Sequence, residues 1–140
     1  MEKWVVYAIL SMVFAGFTSV VAKLGLDGIS GDLGLAVRTC FVFVFVLGFA
    51  AAVVPRAELD GLNRANLTWL AVSAMTTAAS WVFYYKAIKL GEVSTIALID
   101  KGSFVIAVIL SWLVLKEQIT PRVLAGMALI ITGLFIVSRR

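Results

Sequence analysis

No histidine occurs among the 140 residues. Zinc sites built on His, haem held by His and Ser-His-Asp catalysis are therefore excluded. Cys40 is the single cysteine, so neither an internal disulfide nor a thiolate metal cluster can form. Charge is sparse as well. Asp, Glu, Lys and Arg make up 14% of the chain, against about 25% in an ordinary soluble domain. No ATP-binding loop is present, so any pumping must draw on a gradient or an exchange. Alternating ten-residue strand patterns are missing, which argues against a β-barrel. Every loop is too short to fold alone.

What remains is apolar. Hydrophobic residues reach 62% and the mean hydropathy is +1.06. The length fits one domain. A soluble fold of this size leaves much of its surface wet, so the excess apolar surface must face lipid. This excludes a soluble enzyme, a disordered tail and a nucleic-acid-binding domain. The net charge of +4 comes from basic residues scattered singly, not from a patch that could track phosphates. No cofactor is implied.

A helical span needs about 20 mostly apolar residues. Five segments qualify: Trp4–Leu26, Leu33–Val54, Leu67–Ile88, Val93–Leu115 and Pro121–Val137. The expected fold class is all-α, an integral membrane bundle of five transmembrane helices filling residues 1–140. The first span is longer than the apolar core of a signal peptide and lacks its cleavage site, so it reads as retained. The linkers carry breakers and caps. Asp32 is expected to cap the second helix and Asn66 the third. Thr120-Pro121 supplies a cap and an N1 proline for the fifth. Trp4, Trp69, Trp112 and Tyr84/Tyr85 lie near span ends, as an interfacial aromatic belt would. Trp81 sits deeper.

Small and polar residues define helix faces. Ser11, Ala15, Ser19 and Lys23 recur every four residues and share one face. Ser73, Thr77, Trp81 and Tyr84 form a polar stripe on the third span, serving either as interhelical glue or as a cavity wall. Gly126 and Gly133 are nearly two turns apart, a groove for close approach within the chain or between two subunits.

Ionisable residues inside spans are costly and usually face a bundle interior or water. Lys23 and Lys86 lie near span ends, where snorkelling competes with a functional role. Arg38 lies roughly 8 Å into the second span, and Asp100 and Lys101 roughly 10–12 Å into the fourth, at 1.5 Å per residue. If the spans alternate in direction, these five residues crowd one half of the bundle. Adjacent helical residues point about 100° apart, so Asp100 is expected to pair with Arg38 or Lys23 rather than with Lys101. The surplus of positive charge then favours an anionic or zwitterionic solute. Candidate solute-binding residues are Lys101, Asp100, Arg38, Lys23, Trp81 and Thr77.

The segment Ser111-Trp112-Leu113-Val114-Leu115-Lys116-Glu117-Gln118-Ile119-Thr120, followed by Gly126, Ile130 and Gly133, resembles the EamA-like repeat of the drug/metabolite transporter superfamily. Trp81, Tyr84, Ala87 and Leu90-Gly91 fit the same pattern. The resemblance covers the whole chain. It implies half of a ten-helix, inverted-repeat transporter. The chain departs from many relatives at Asp100-Lys101, where they carry proline. Gly126/Gly133 also resembles the dimerising last helix of the small multidrug resistance family. That family's mid-membrane acid in the first span is replaced here by Phe14, Ala15 and Gly16.

The resulting expectation is a secondary transporter of a small anionic or zwitterionic metabolite in the inner cell membrane, not an enzyme. An accessory subunit without transport, or a flippase of a lipid-linked phosphate, is the alternative. One repeat cannot enclose a pathway as an inverted pair does, so an antiparallel homodimer is expected, with Gly126 and Gly133 at its seam. Lys3, Arg56, Arg64, Lys116 and Arg122 would lie on one side. Lys23, Arg38, Lys86, Lys89, Arg139 and Arg140 would lie on the other. That near-balance is what dual insertion requires.

Overall fold

A computed structural model describes residues 2–138. Arg139 and Arg140, which entered the charge balance, lie outside the described residues. The described residues are 86% helix, and no strand occurs among them. Six α-helices follow in order: α1 (Lys3–Gly25), α2 (Gly31–Val53), α3 (Arg64–Leu90), α4 (Val93–Asp100), α5 (Ser103–Leu110) and α6 (Pro121–Ser138). A 3₁₀ turn, Arg56–Gly61, fills the longest linker, and a π turn, Ser111–Leu115, closes α5.

Three stretches are long and apolar enough to cross a membrane: Lys3–Gly25, Gly31–Val53 and Val93–Leu115; Pro121–Val137 is a shorter apolar helix. Long helices suit lipid because each backbone group is satisfied within its own segment. Hydroxyls follow the same rule. Thr18, Thr39, Thr76, Thr77 and Thr132 each donate to a carbonyl three or four residues back, at 2.8–2.9 Å. The third expected span forms a helix of 27 residues but is not among the clearly apolar stretches. Its hydroxyl-rich centre and the lysines near its end lower its hydropathy.

Two caps differ from expectation. Ser30, not Asp32, caps α2: its hydroxyl accepts from the Leu33 amide at 3.2 Å. Asn63, not Asn66, starts α3 by accepting from the Asn66 amide at 2.8 Å. In both cases the helix begins earlier than the apolar run, because the cap needs its acceptor three residues ahead of an otherwise unpaired donor. Thr120 does cap α6, accepting from the Val123 amide at 3.4 Å.

Contacts divide the chain into two compact units. One is Val21–Leu90; the other combines the chain before Val21 with the chain from Gly91 onward. In the first, α2 runs antiparallel to α3. Gly31, at the start of α2, lies against the α3 backbone near its end, where a Cβ would stand 2.8 Å from the Tyr85 carbonyl oxygen. Leu26 and Ile88, 2% and 0% exposed, fill the small core of this unit together with Tyr85.

In the second unit the expected fourth span is interrupted. α4 stops at Asp100, and α5 starts at Ser103. Between them the amides of Lys101 and Gly102 bond to Leu98 and Ile99, and those of Phe104 and Val105 to Lys101 and Gly102. These are three-residue steps, so the helix tightens into a 3₁₀ turn rather than opening. Gly102 lets α6 approach there, since a Cβ would lie 3.2 Å from Leu134 Cδ1. At the far end, Lys116 adopts the left-handed conformation at φ 56° and closes the π turn.

Candidate functional site

Lys23, Asp32, Lys86 and Lys89 of the Val21–Leu90 unit gather at one end of its helices. Lys23, in the last turn of α1, donates through Nζ to the carbonyls of Ile88 and Lys89 at the end of α3. Lys89 of α3 donates in return to the Leu26 carbonyl just past α1, at 2.8 Å. Each lysine thus caps the other's helix. The final carbonyls of a helix lack partners within it and carry partial negative charge, so cations are favoured there. Lys86 pairs with Asp32 of α2 at 3.6 Å, with both side chains largely exposed.

Arg38 lies further along α2, about 10 Å from its first residue at 1.5 Å per residue. Its guanidinium carbon stands 4.4 Å from the Trp81 ring centroid and 5.8 Å from that of Tyr85. Trp81 and Tyr85 are four apart on α3, hence on one face. Attraction to the ring faces holds the cation at this depth. Its Nη1 is buried and has no hydrogen-bond partner. A buried donor left without an acceptor is unfavourable, so this atom awaits one.

In the other unit, Asp100 and Lys101 sit where the helix tightens. They pair with each other, Nζ to Oδ2 3.8 Å. The pairing differs from the expectation that adjacent positions would diverge. The long, rotatable Lys101 side chain reaches across the angle that separates adjacent helical positions, at 58% exposure for its own side chain and 40% for that of Asp100.

The candidate residues are thus brought together only in part. Arg38 and Trp81 touch. Lys23 is engaged with helix-end carbonyls. Thr77 is exposed and donates to the Ser73 carbonyl within its own helix. Asp100 and Lys101 form their own pair. Gly126 and Gly133 have nothing within 4 Å of an added Cβ. Two participants were not anticipated. Tyr85, expected in the aromatic belt, is 4% exposed and packs beside Arg38. Lys89 enters the sequence reading only through the charge balance. The i, i+4 step from Trp81 to Tyr85, and on to Lys89, was the available signal.

An all-helical chain with charged groups set inside its apolar spans fits a membrane protein that handles polar solutes or ions. The chain belongs to the EamA-like transporter family, which it matches over residues 2–139. It is similar to a protein named "Uncharacterized transporter in cobO 3'region" from Sinorhizobium sp, 31% identical over 137 residues. That alignment covers 98% of this chain and 97% of the relative. No solved structure matches. The family and the relative's name point to a multi-pass membrane transporter rather than an enzyme.

Proposed function

We propose that this transporter moves a small anionic or zwitterionic organic solute by alternating access, drawing on a gradient or an exchange. One observation carries the reading: the Arg38 guanidinium, backed by Trp81, with a buried Nη1 that lacks an acceptor. A cation this deep in a span is costly, and such residues mark solute and ion pathways. Asp100 and Lys101 are proposed as a second solute-facing group, with Asp100 the carboxylate available to carry a proton. An inner cell membrane location accords with this role.

The working unit is proposed to be an antiparallel homodimer, because one repeat lacks the inverted partner that encloses a midplane pathway. Support comes from the near-equal Lys and Arg content of the two sides and from the open space over Gly126 and Gly133. Small residues with free surface allow two helices to approach closely in lipid.

The test is uptake by the purified chain in liposomes, using a panel of organic anions, zwitterions and cations. Uptake of an anion or zwitterion that fails with Arg38→Gln supports the proposal. Movement of lipophilic cations alone, or no movement of any solute, refutes it. For topology, reporters at the C-terminus should appear on both sides of the membrane; a single location eliminates the antiparallel pair.

A further inference from the structure

The solute's charge follows more narrowly from how Arg38 and the three lysines of the Val21–Leu90 unit are neutralised, given the transport reading above. Lys86 has Asp32. Lys23 lies on the Ile88 and Lys89 carbonyls, and Lys89 on the Leu26 carbonyl. The C-terminal end of a helix carries roughly half a negative charge, so both lysines are offset at least in part by backbone. Asp27 lies in the exposed loop after α1, where water and salt screen it. Among the described residues, Arg38 pairs with no acid and lies at no helix end. Its neighbours are two aromatic rings, which hold a cation without neutralising it.

The donor geometry of the guanidinium is also specific. A guanidinium is planar, and its donors point outward in its plane. Trp81 covers one face, and Nη1 on the edge lacks an acceptor. The matching ligand group is planar and accepts two parallel hydrogen bonds, which describes a carboxylate. A single negative charge leaves the site neutral. A dianion would leave a net charge in a low-dielectric surrounding, and a zwitterion would bring an ammonium with no acid beside this guanidinium to receive it.

We propose that Arg38, backed by Trp81 and Tyr85, reads one carboxylate, and that the transported solute is a monocarboxylate. Nη1 is closed to water as the chain stands, so the helices around it must part to admit the anion. Alternating access supplies such a movement.

The full chain in detergent micelles is titrated with propionate, benzoate, glycine and inorganic phosphate. Trp4, Trp69 and Trp112 are changed to Phe so that the emission reports Trp81. Calorimetric titration of the unaltered chain with the same four probes repeats the measurement if that variant does not fold. A carboxylate should perturb Trp81 saturably, and glycine and phosphate should bind at least about tenfold more weakly. Arg38→Lys keeps the charge but loses the planar fork, and should weaken carboxylate binding at least about tenfold. Equal affinity for glycine or phosphate, an unchanged Arg38→Lys titration, or no response to either carboxylate overturns the proposal. Arg38-dependent uptake that prefers zwitterions would overturn it while leaving the transport reading intact. Carboxylate binding without flux of any solute would do the reverse.

Discussion

Replacing Gly31 with alanine should separate helix packing from helix propensity within one chain. The added Cβ would stand 2.8 Å from the Tyr85 carbonyl oxygen and 3.1 Å from its carbon. Ordinary contacts between heavy atoms begin at about 3.5 Å, so α2 must retreat by roughly half an ångström or more. The obstacle is backbone inside α3, which cannot rotate aside as a side chain would. Overpacking of this kind costs about 1–3 kcal/mol. Gly133→Ala is the control. Its Cβ meets nothing within the chain, and alanine improves on glycine in a helix by about 1 kcal/mol. Both variants are unfolded with increasing SDS in mixed micelles, at a protein dilution that keeps the chain monomeric. Gly31→Ala should lose about 1–3 kcal/mol, and Gly133→Ala should be neutral or gain up to about 1 kcal/mol. The Arg38–Trp81 contact should loosen in the first variant and hold in the second, as read by Trp81 emission. Equal stability of Gly31→Ala and the parent chain would refute the close approach of α2 to α3.

The exchanged caps predict that Lys23→Met and Lys89→Met each destabilise by about 0.5–2 kcal/mol in the same unfolding assay, and that the double change costs less than twice as much if either cap props up the other. Lys116→Gly should raise stability by about 1 kcal/mol, because the left-handed backbone there costs an L-residue about that much; a loss would mean the lysine side chain contributes more than its backbone costs. For the fourth span, Lys101→Ala should abolish uptake in liposomes with folded yield retained, and Asp100→Asn should flatten any dependence of uptake on a proton gradient. Normal uptake by Lys101→Ala would make the Asp100–Lys101 pair structural.

Much of the architecture was legible because lipid permits few solutions. An apolar run of the right length must be a helix, and the stretches Val93–Leu115 and Pro121–Val137 appear with the expected bounds. Local hydrogen-bond chemistry was harder to place. Ser30 outcompeted Asp32, and Asn63 outcompeted Asn66, because a cap is fixed by which oxygen reaches a free amide and not by where hydrophobicity begins. The tightening at Lys101-Gly102 left no proline to announce it. It became visible only in the three-residue spacing of the backbone bonds. At the site, Arg38 and Trp81 were both selected as single residues, yet nothing in one sequence said that they touch. Tyr85 was misassigned because its position near a helix end fits an interfacial anchor as well as it fits a buried wall.

The count of charges along the spans suggested a broad excess of positive charge, and its distribution narrows that conclusion. Counting side chains treats every lysine as awaiting an acid. Two of the lysines in the Val21–Leu90 unit instead meet the carbonyl ends of helices, which no residue count records. A third meets Asp32 at the exposed end. The charge that distinguishes the interior of this unit is therefore local to Arg38. Distributed lysines would attract anions of many shapes by field alone, and salt would weaken that attraction strongly. One guanidinium held against the Trp81 ring, with Tyr85 beside it, discriminates by geometry, and the burial of its Nη1 shields that donor from salt. Binding at the site should thus depend steeply on the identity of residue 38 and weakly on ionic strength. Raising salt from about 0.01 M to about 1 M shortens the screening length from about 30 Å to about 3 Å. Carboxylate affinity should change by less than about threefold across that range; a change above about tenfold would return the selectivity to the lysines.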